Sequence, residues 1–563
     1  MKAPFLYSST LFLSLFLSFT NLHAQQWGDY TLYSLKNSTN AYLIDTNGTT
    51  YHSWTGLSPA TIYSSYLLPG GTLLRTVNHP GNLFSSGAIT GEFQKVDYNG
   101  TLLWDFVYST STYCMHHDVC PLPNGNVLVI AYESKTAAEA TQAGCSSSIV
   151  MWPDKIVEIH QTGATTGAVV WEWHAWDHLC QSFSPSQNNY VTATADHPEL
   201  YNINYNVQKE IWHTNGIDYN PVLDQIIISA HFVNEIFIID HSTTTAEAAS
   251  HSGGLGGRGG DFLYRWGNPA AYGQTGAADF NVVHDAHWIP EGSINAGRIV
   301  GFNNNGISMS QSCVDQITTP VSGYNYSYTP NTAYAPATYS SRLACTGHTN
   351  SEGSSQQLPN GNQLVCIAGS GLIYEVDPTG TTLWSTTVAG QTAQSFRYSA
   401  CYVNNAAPAI PTITQNVSVL TSSAATTYQW YLNGVQILGA TNQNYTPSVS
   451  GIYLVRVTDV NGCVFSYSAN YNYTFTTSVM SNFTNENSFN VFPNPTTGMV
   501  TIEPGFTENQ DYFVTVLDAT GKNILTAKNS KTLDLSMLEN GIYFISIVSD
   551  EQKTITKKIT ISK

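Results

Sequence analysis

The segment LPNGNVL at residues 122–128 recurs as LPNGNQL at residues 358–364 and as LPGGTLL at residues 68–74. Looser copies of this turn and apolar strand begin at Tyr219 and Ile289. A hairpin that ends in tryptophan forms the second half of the repeat. Its clear copies end at Trp54, Trp104 and Trp384, and weaker copies end at Trp171 and Trp266. Short apolar strands separated by Asn-Gly, Pro-Gly and Asp-x-x-Gly turns predict a chain that is mostly β.

One strand, a turn and a hairpin together fit a single blade of a β-propeller. Five full copies can be counted, and the two ends of the region supply the parts of a sixth. Residues 30–54 contain only a hairpin, and residues 395–403 contain only one strand. Pairing these ends would close the ring and hide its edge strands. We therefore predict an all-β fold, a six-bladed β-propeller followed by two small β-sandwich domains, with the repeat tryptophans packed inside the blades.

Composition excludes several classes of protein. The 563 residues include 20 Lys and Arg against 38 Asp and Glu, a formal net charge of −18, so a basic nucleic-acid-binding surface is not expected. With 42% hydrophobic and 10% charged residues, the chain has enough apolar surface to fold and too little charge to be disordered.

The N-terminal residues 1–24 read as a signal peptide, with one early lysine and an apolar run. Since no other run approaches the roughly 20 apolar residues of a membrane helix, we predict no transmembrane segment. Export permits disulfides. Eight of the nine cysteines lie before residue 402, which predicts up to four bridges in the large domain and leaves Cys463 unpaired.

Changes in composition and turn pattern divide the chain into six segments. They are a signal peptide at 1–24, a propeller at 25–403, a linker at 404–411, a spacer domain at 412–475, a second linker at 476–489 and a final domain at 490–563. The spacer resembles small immunoglobulin-like modules in which a tryptophan, here Trp430, packs against the opposite sheet.

Three stretches of the final domain carry a second resemblance: VFPNPTTG at 491–498, VLDATGK at 516–522 and LENGIY at 538–543. They look like the C-terminal sorting domain of the type IX secretion system. This resemblance implies that the type IX machinery is a partner and that the protein is secreted or held at the cell surface.

Histidines recur near one position of the repeat. His117 and His284 each stand five residues before a repeat strand begins, and His213 stands six before. His348 is further upstream, ten residues before Leu358. Because the innermost strand of each blade lines the central channel, these side chains are expected to converge at one mouth of the ring.

The surrounding sequence resembles the arylsulfotransferase (aryl-sulfate sulfotransferase) family. The similar blocks are WHTNGIDYNP at 212–221, DQIIIS at 224–229, YRWG at 264–267 and VHDAH at 283–287. This resemblance implies a six-bladed propeller that moves a sulfuryl group from an aryl sulfate donor to a phenolic acceptor through a sulfated histidine, with no cofactor. A neutral imidazole must attack sulfur, and hydrogen-bond donors must hold the developing charge.

By this resemblance His348 is the nucleophile, and His213 and His284 bind the sulfonate or transfer protons. The candidate substrate-binding residues are His117, Asn215, Asn303 and Arg342. The family has an arginine on the strand that here reads GFNNNG at 301–306, and no arginine stands there. Arg298 and Arg342 are the candidates to replace it in space.

Two other functions are also consistent with the sequence. The missing arginine, with the Tyr-, Asn- and Ser-rich loops, also fits a non-catalytic extracellular binding or adhesion propeller. A metal-dependent hydrolase using His284 and His287 is the third hypothesis, although no H-E-x-x-H helix surrounds them and no metal site is predicted.

Overall fold

The structure, a computed structural model, describes residues 26–475, 489–503, 512–549 and 554–563. The predicted signal peptide and most of the predicted second linker lie outside these residues. The chain forms two compact units, Met1–Phe475 and Thr476–Lys563.

Six four-stranded antiparallel sheets make up the first part of the first unit. The first sheet contains β1 (Tyr30–Ser34), β2 (Ala41–Asp45), β3 (Thr50–Trp54) and, from the other end of the region, β28 (Ser395–Tyr398); the second contains β4 (Thr61–Leu68), β5 (Thr72–Asn78), β6 (Gly91–Val96) and β7 (Leu102–Val107). The third contains β8 (Tyr113–Pro121), β9 (Val127–Glu133), β10 (Asp154–Gln161) and β11 (Gly167–His174), and the fourth contains β14 (Thr214–Asn220), β15 (Gln225–Ala230), β16 (Glu235–Asp240) and β17 (Tyr264–Trp266). The fifth contains β18 (Val283–Trp288), β19 (Ile299–Ser308), β20 (Gln311–Ile317) and β23 (Ser341–Ala344), and the sixth contains β24 (Ser354–Gln357), β25 (Gln363–Ile367), β26 (Leu372–Val376) and β27 (Thr382–Thr387). Two short pairs, β12 (Leu179–Cys180) with β13 (Tyr201–Asn202) and β21 (Val321–Ser322) with β22 (Asn325–Tyr326), lie in the connections.

The sheets are arranged as the blades of a propeller. The strands β4, β8, β14, β18, β24 and β28 are innermost, and each contacts the next one along the chain. β28 pairs with β1, and β1 contacts β4, so the two ends of the region meet in one blade. This closure is the one expected from the two half-repeats, and the all-β propeller fold is confirmed.

The repeat motifs form for local reasons. In the β6–β7 hairpin Asp97 accepts the amide of Thr101 at 2.7 Å, and Gly100 has the positive φ of 89° that favours glycine. Trp54 is buried, and its indole N–H donates to the carbonyl oxygen of Asp97 in the next blade at 2.8 Å. The tryptophan at the end of one blade thus also ties that blade to its neighbour.

In the described part of the chain, helices are few and short. They are α1 (Ala137–Gln142), α2 (Thr245–Ala248) and α3 (Ala400–Asn404), with 3-10 turns at Ala175–His178, Thr194–Asp196, His231–Val233, Pro269–Tyr272 and Ala368–Ser370. Among the described residues, no helix has the length and apolar character needed to cross a membrane.

The remainder of the first unit is a small β-sandwich. Its strands are β29 (Ile413–Asn416), β30 (Val419–Ser422), β31 (Thr427–Leu432), β32 (Val435–Gln436), β33 (Asn444–Tyr445), β34 (Gly451–Thr458), β35 (Phe465–Tyr467) and β36 (Tyr471–Tyr473). One sheet has the order β29-β30-β33, and the other contains β31, β32, β34, β35 and β36. Trp430 on β31 is fully buried in an apolar cluster with Leu420 of the opposite sheet and with Val455, its cross-strand neighbour.

The cysteines differ from the sequence prediction. Cys463 is not unpaired: it forms a disulfide with Cys401, with the Cα atoms 6.1 Å apart. The other seven cysteines are free and buried, so the predicted bridges within the propeller do not form. A buried thiol packs as a small apolar side chain, so an even number of cysteines in this domain does not require bridges.

The second unit, taken by itself, is another sandwich. Its strands are β37 (Asn490–Phe492), β38 (Met499–Glu503), β39 (Tyr512–Leu517), β40 (Asn523–Lys528), β41 (Thr532–Asp534), β42 (Gly541–Ser549) and β43 (Thr554–Ile561). They form the sheets β37-β38-β41 and β40-β39-β42-β43 around a common apolar core.

Candidate functional site

The innermost strands bulge where they line the channel. β8 is irregular between Met115 and Val119, and β18 between His284 and His287. His117 has a φ of 51°, in the left-handed region that non-glycine residues rarely adopt. Bulges redirect side chains, and here they bring histidines to the channel.

Four histidines meet at one mouth of the channel, and we call them the histidine cluster: His117, His213, His231 and His284. The ring of His213 lies edge-on to that of His117, with centroids 4.6 Å apart, and to that of His231 at 5.4 Å. His231 in turn lies 5.2 Å from His284. The predicted convergence of His117, His213 and His284 is therefore observed, and His231 joins them.

His213 is oriented by an acid. Its Nδ1 forms a very short hydrogen bond with a carboxylate oxygen of Glu210, which also accepts the hydroxyl of Tyr132 at 3.0 Å. In the neutral form of His213, an N–H at Nδ1 leaves the lone pair on Nε2. Burial works to raise the pKa of Glu210, but the hydrogen bond and the charge attraction of His213, with hydrogen bonds from Ser86 and Tyr132, lower it overall, so the carboxylate is charged.

His284 is held on both sides of its ring. Its Nδ1 lies 2.7 Å from the amide oxygen of Asn304, and its Nε2 accepts the backbone N–H of Glu352 at 3.0 Å. The Asn304 amide nitrogen donates to the carbonyls of Thr349 and Glu352, which fixes its oxygen toward His284. The ring is therefore the tautomer with its proton on Nδ1 and its lone pair on Nε2.

Three members of the cluster, His117, His231 and His284, are uncharged at neutral pH. Burial is the main cause that lowers the pKa of His231 to about 4, and nearby His213 adds to it. Burial also holds the pKa of His117 and of His284 well below the ordinary value. These imidazoles are neutral at pH 7, as a nucleophile must be.

Further groups adjoin the cluster. His116 and His117 share a contact of 2.8 Å between their Nδ1 atoms, and His116 stacks on Tyr132 at 3.6 Å. On the side of His284, the ammonium group of Lys36 forms a very short ion pair with Glu352. The side chain of Lys36 is 22% exposed and that of Glu352 is 6% exposed, so this cation is reachable from solvent.

His348 lies apart from the histidine cluster. Its Nε2 is 2.9 Å from the side-chain oxygen of Asn305, the residue after the one that holds His284. His348 is half-buried, whereas His284 is 2% exposed. The two histidines are thus tied to consecutive residues of β19.

The polar groups of Asn215 and Asn303 are used within the fold. Asn215 donates to the carbonyl of Val283 at 2.8 Å and accepts the hydroxyl of Ser229 at 2.6 Å, so it ties β14 to β18. Asn303 donates to Asp315 at 2.9 Å and to the carbonyl of Asp279 at 2.9 Å. Both side chains are fully buried.

Arg342 also sits away from the cluster. It lies on the outermost strand of its blade, where Nε and Nη2 bind Asp315 at 2.6 and 2.7 Å and Nη1 donates to the carbonyl of Gly306. The carbonyl of Arg298 accepts the amide of Ile289, beyond the end of β18 opposite His284. Neither arginine is brought to the histidine cluster.

Groups of three potential metal ligands in the described part of the chain lie elsewhere. One group is His178, His251 and Asp261. Its ring His178 is already bonded through Nδ1 to Asp261 and through Nε2 to the carbonyl of Ala248, both at 2.8 Å. The other consists of the disulfide cysteines and Asp459. Neither group contains His284 or His287.

Sequence reasoning missed His231, Glu210 and Lys36. His231 follows the apolar strand β15 rather than preceding a repeat turn, and Lys36 lies in the loop between β1 and β2. Glu210 stands three residues before His213, a spacing that could have indicated an acid beside a histidine.

Comparison with known proteins adds two family matches. The arylsulfotransferase (ASST) family matches residues 19–399, and the secretion system C-terminal sorting domain matches residues 490–562. No curated protein matches the chain.

Similar solved structures include a protein of unknown function from Bacteroides caccae. It is 11% identical, with a TM-score of 0.38, over 66% of this chain and 98% of that one. The periplasmic gluconolactonase PpgL of Pseudomonas aeruginosa is 13% identical, with a TM-score of 0.34, over 65% of this chain and 98% of that one. At these TM-scores neither likeness bears on the activity.

Proposed function

This chain belongs to the arylsulfotransferase family, and we propose that it moves a sulfuryl group from an aryl sulfate to a phenolic acceptor through a sulfated histidine. Family membership supports the activity at the level of aryl sulfotransfer. The histidine cluster is the observation that carries the proposal for this chain's own residues.

The chemistry asks for a neutral imidazole with a directed lone pair. His284 already uses both ring nitrogens, Nδ1 toward Asn304 and Nε2 as acceptor of the Glu352 backbone N–H, so we propose that it orients the site. His213 in its neutral form holds its Nδ1–H against Glu210 and keeps its lone pair on Nε2. In the proposed first step this nitrogen attacks sulfur, an N–S bond forms and the S–O bond to the aryl group breaks. The aryl oxygen leaves with the electron pair and takes a proton, and a phenol then reverses the step.

The remaining cluster histidines are proposed to act as hydrogen-bond donors and proton carriers. Tyr132, bonded to Glu210, is a further donor at the site. The resemblance assigns the nucleophile to His348, whose contact with Asn305 leaves Nδ1 as its available nitrogen. We therefore include His348 with His213 and His284 in the test below.

We propose that Lys36 supplies the positive charge that the family places on an arginine. Its ammonium group pairs with Glu352, whose backbone N–H binds His284. An ammonium at a partly buried site stabilises an anionic sulfonate more strongly than it would in water.

The sorting domain implies export and placement at the outer membrane or cell surface. We propose that the type IX machinery carries the protein there after a signal peptide at residues 1–24 directs it out of the cytoplasm. The substrates would then be aryl sulfates and phenols outside the cell.

The test is release of p-nitrophenolate from p-nitrophenyl sulfate, with and without phenol as acceptor. The mature wild type should show release that depends on phenol. Replacing His213 or His284 with Asn should lower the rate of phenol-dependent release by about 10²- to 10⁴-fold, which is the usual contribution of a group that transfers a proton. A His348→Asn variant run beside them decides whether that residue is the nucleophile.

His197→Asn is the matched control, because that histidine is 39% exposed and pairs with Glu199 on the surface. Wild type that releases nothing with several phenols would overturn the proposal and favour a binding propeller.

A further inference from the structure

A cavity of about 900 Å³ lies at the mouth of the channel opposite the histidine cluster. It is bounded on one side by the ends of the innermost strands and on the other by the sandwich of residues 412–475. The sandwich contributes Tyr431, residues 434–436 and residues 463–467 to the wall. This volume is within the range of small-molecule sites in proteins.

The sandwich is held against the propeller at this place. Glu291, in the loop after β18, accepts hydrogen bonds from Tyr431, from Tyr467 at 3.1 Å and from Arg456 at 2.8 Å. The disulfide between Cys401 and Cys463 adds a covalent tie. The cavity is therefore a defined space between two fixed walls.

Its walls are mostly apolar and aromatic. The aromatic side chains that line it from the propeller include Tyr66, Tyr219, Trp288, Phe396 and Tyr398. Aromatic faces carry negative partial charge and attract cations. Such walls favour a ligand with an aromatic or alkyl body.

Three carboxyl groups face the same cavity from neighbouring innermost strands: Asp118, Asp218 and Asp285. Part of their role is structural. Asp118 accepts the hydroxyl of Tyr66 at 2.7 Å, and Asp218 accepts the amide of Trp288 at 2.9 Å. These bonds join adjacent blades.

Asp285 differs from Asp118, because only one of its two carboxyl oxygens accepts a hydrogen bond within the described residues. It is 5% exposed, and its Oδ2 accepts the amide of Ser355 at 2.9 Å. Within the described residues its Oδ1 has no hydrogen-bond partner, although the residue lines the cavity. Asp285 lines the cavity, so this oxygen is open to a hydrogen-bond donor bound there.

The charge balance of the lining points the same way. Burial raises the pKa of Asp118 and of Asp218 to about 6, and burial with repulsion from these two acids raises the pKa of Asp285 well above its ordinary value. Lys95, a cation in the lining, is occupied by the carbonyl of Gly125 at 2.8 Å. A positive charge placed among the acids would relieve their repulsion.

We propose that this cavity binds a small organic cation, an amine with an aromatic body, whose ammonium group bonds Asp285 and whose ring packs against the aromatic wall. The site is distinct from the histidine cluster, since none of the four cluster histidines lines the cavity. The proposal does not depend on sulfotransfer.

The test is calorimetric titration of the mature full chain with 2-phenylethylamine. Its neutral analogue 2-phenylethanol has the same ring and length and lacks the charge. The amine should bind at least about tenfold more tightly than the alcohol, as expected for a charged hydrogen bond. An Asp285→Asn variant should lose a similar factor. Equal binding of amine and alcohol, or no binding of the amine, would overturn the proposal.

Two further variants locate the site without touching the acids. Val435 lines the cavity from the sandwich and is 63% exposed, so Val435→Trp should fold and should abolish amine binding by filling the space. Val460→Trp, on the same sandwich at a residue 79% exposed, is the matched control and should bind as wild type does. His213→Asn should also bind normally. Amine binding that survives Val435→Trp would place the ligand elsewhere and refute the assignment.

Discussion

Replacing His241 with Gln should destabilise the propeller, because this imidazole joins two neighbouring blades. His241 follows β16 and lies between two carboxylates, with Nδ1 2.7 Å from Asp224 and Nε2 3.1 Å from Glu158. Glu158 belongs to the preceding blade, on β10. The ring is 11% exposed and meets Trp171 edge-on at 4.8 Å.

The pKa of His241 gives the size of the effect. Burial by itself would lower this pKa, but the hydrogen bonds to Asp224 and Glu158 outweigh it and raise the pKa from 6.5 to about 9. At about 1.4 kcal/mol for each unit of pKa, the charged imidazole contributes about 3 kcal/mol to the free energy of unfolding.

The sign of the pH dependence follows from the raised pKa. The folded state holds its proton more tightly than the unfolded chain, so the contribution is complete below pH 6.5 and is lost as the pH rises through about 9. The difference in stability between wild type and His241→Gln should therefore be largest near pH 6 and should shrink toward pH 10.

Urea unfolding followed by tryptophan fluorescence measures this difference, since every tryptophan except Trp430 lies before residue 404. His197→Gln is the control: its pair with Glu199 is exposed and should be worth less than about 1 kcal/mol at any pH. A His241→Gln variant as stable as wild type at pH 6, or a difference that grows with pH, would refute the reasoning.

Three other predictions follow from the same structure. Binding of an aryl sulfate should take up protons, because an anion beside His231 raises the pKa of this imidazole, which is about 4 in the free protein. Binding enthalpies measured by calorimetry in buffers of different ionisation heat should reveal the uptake. The affinity for the aryl sulfate should fall from pH 5 to pH 8. Trp430→Ala should cost the sandwich about 3 to 5 kcal/mol, seen as a lower melting transition for that domain, while the propeller transition stays near its wild-type temperature. Glu291→Gln should loosen the sandwich from the propeller and speed proteolysis at residues 404–411, whereas unchanged cleavage would show that the other contacts suffice.

The repeat made the fold readable from sequence. Asn-Gly and Asp-x-x-Gly turns act locally, so the hairpin ending at Trp104 could be recognised without knowing its neighbours. The closure of the ring was also foreseeable, since residues 30–54 and 395–403 each lacked what the other supplied.

Only part of the candidate site could be predicted from the sequence. His117, His213 and His284 share a repeat position and converge, as the spacing indicated. His231 comes from a different position of its blade, and the ion pair between Lys36 and Glu352 joins residues far apart in the chain. Such contacts depend on how blades meet around the ring, and no local pattern in the sequence encodes them.

The role of Arg342 also could not be predicted from the sequence. Arg342 was a candidate because of its place in the chain, but the side chain is used by Asp315 on the outer edge of the blade. Likewise Cys401 and Cys463 pair across the boundary drawn after residue 403. Sequence gives the residue types, and packing decides which of them meet.

Peptide mapping of the mature protein after incubation with an aryl sulfate tests the central claim most directly. Digestion and mass spectrometry under conditions that preserve the labile N–S bond should find a sulfuryl group on a histidine, and added phenol should remove it. We predict the label on a peptide that contains His213 or His348. A protein that turns over no aryl sulfate and carries no sulfated histidine would contradict the claim that this cluster transfers sulfuryl groups.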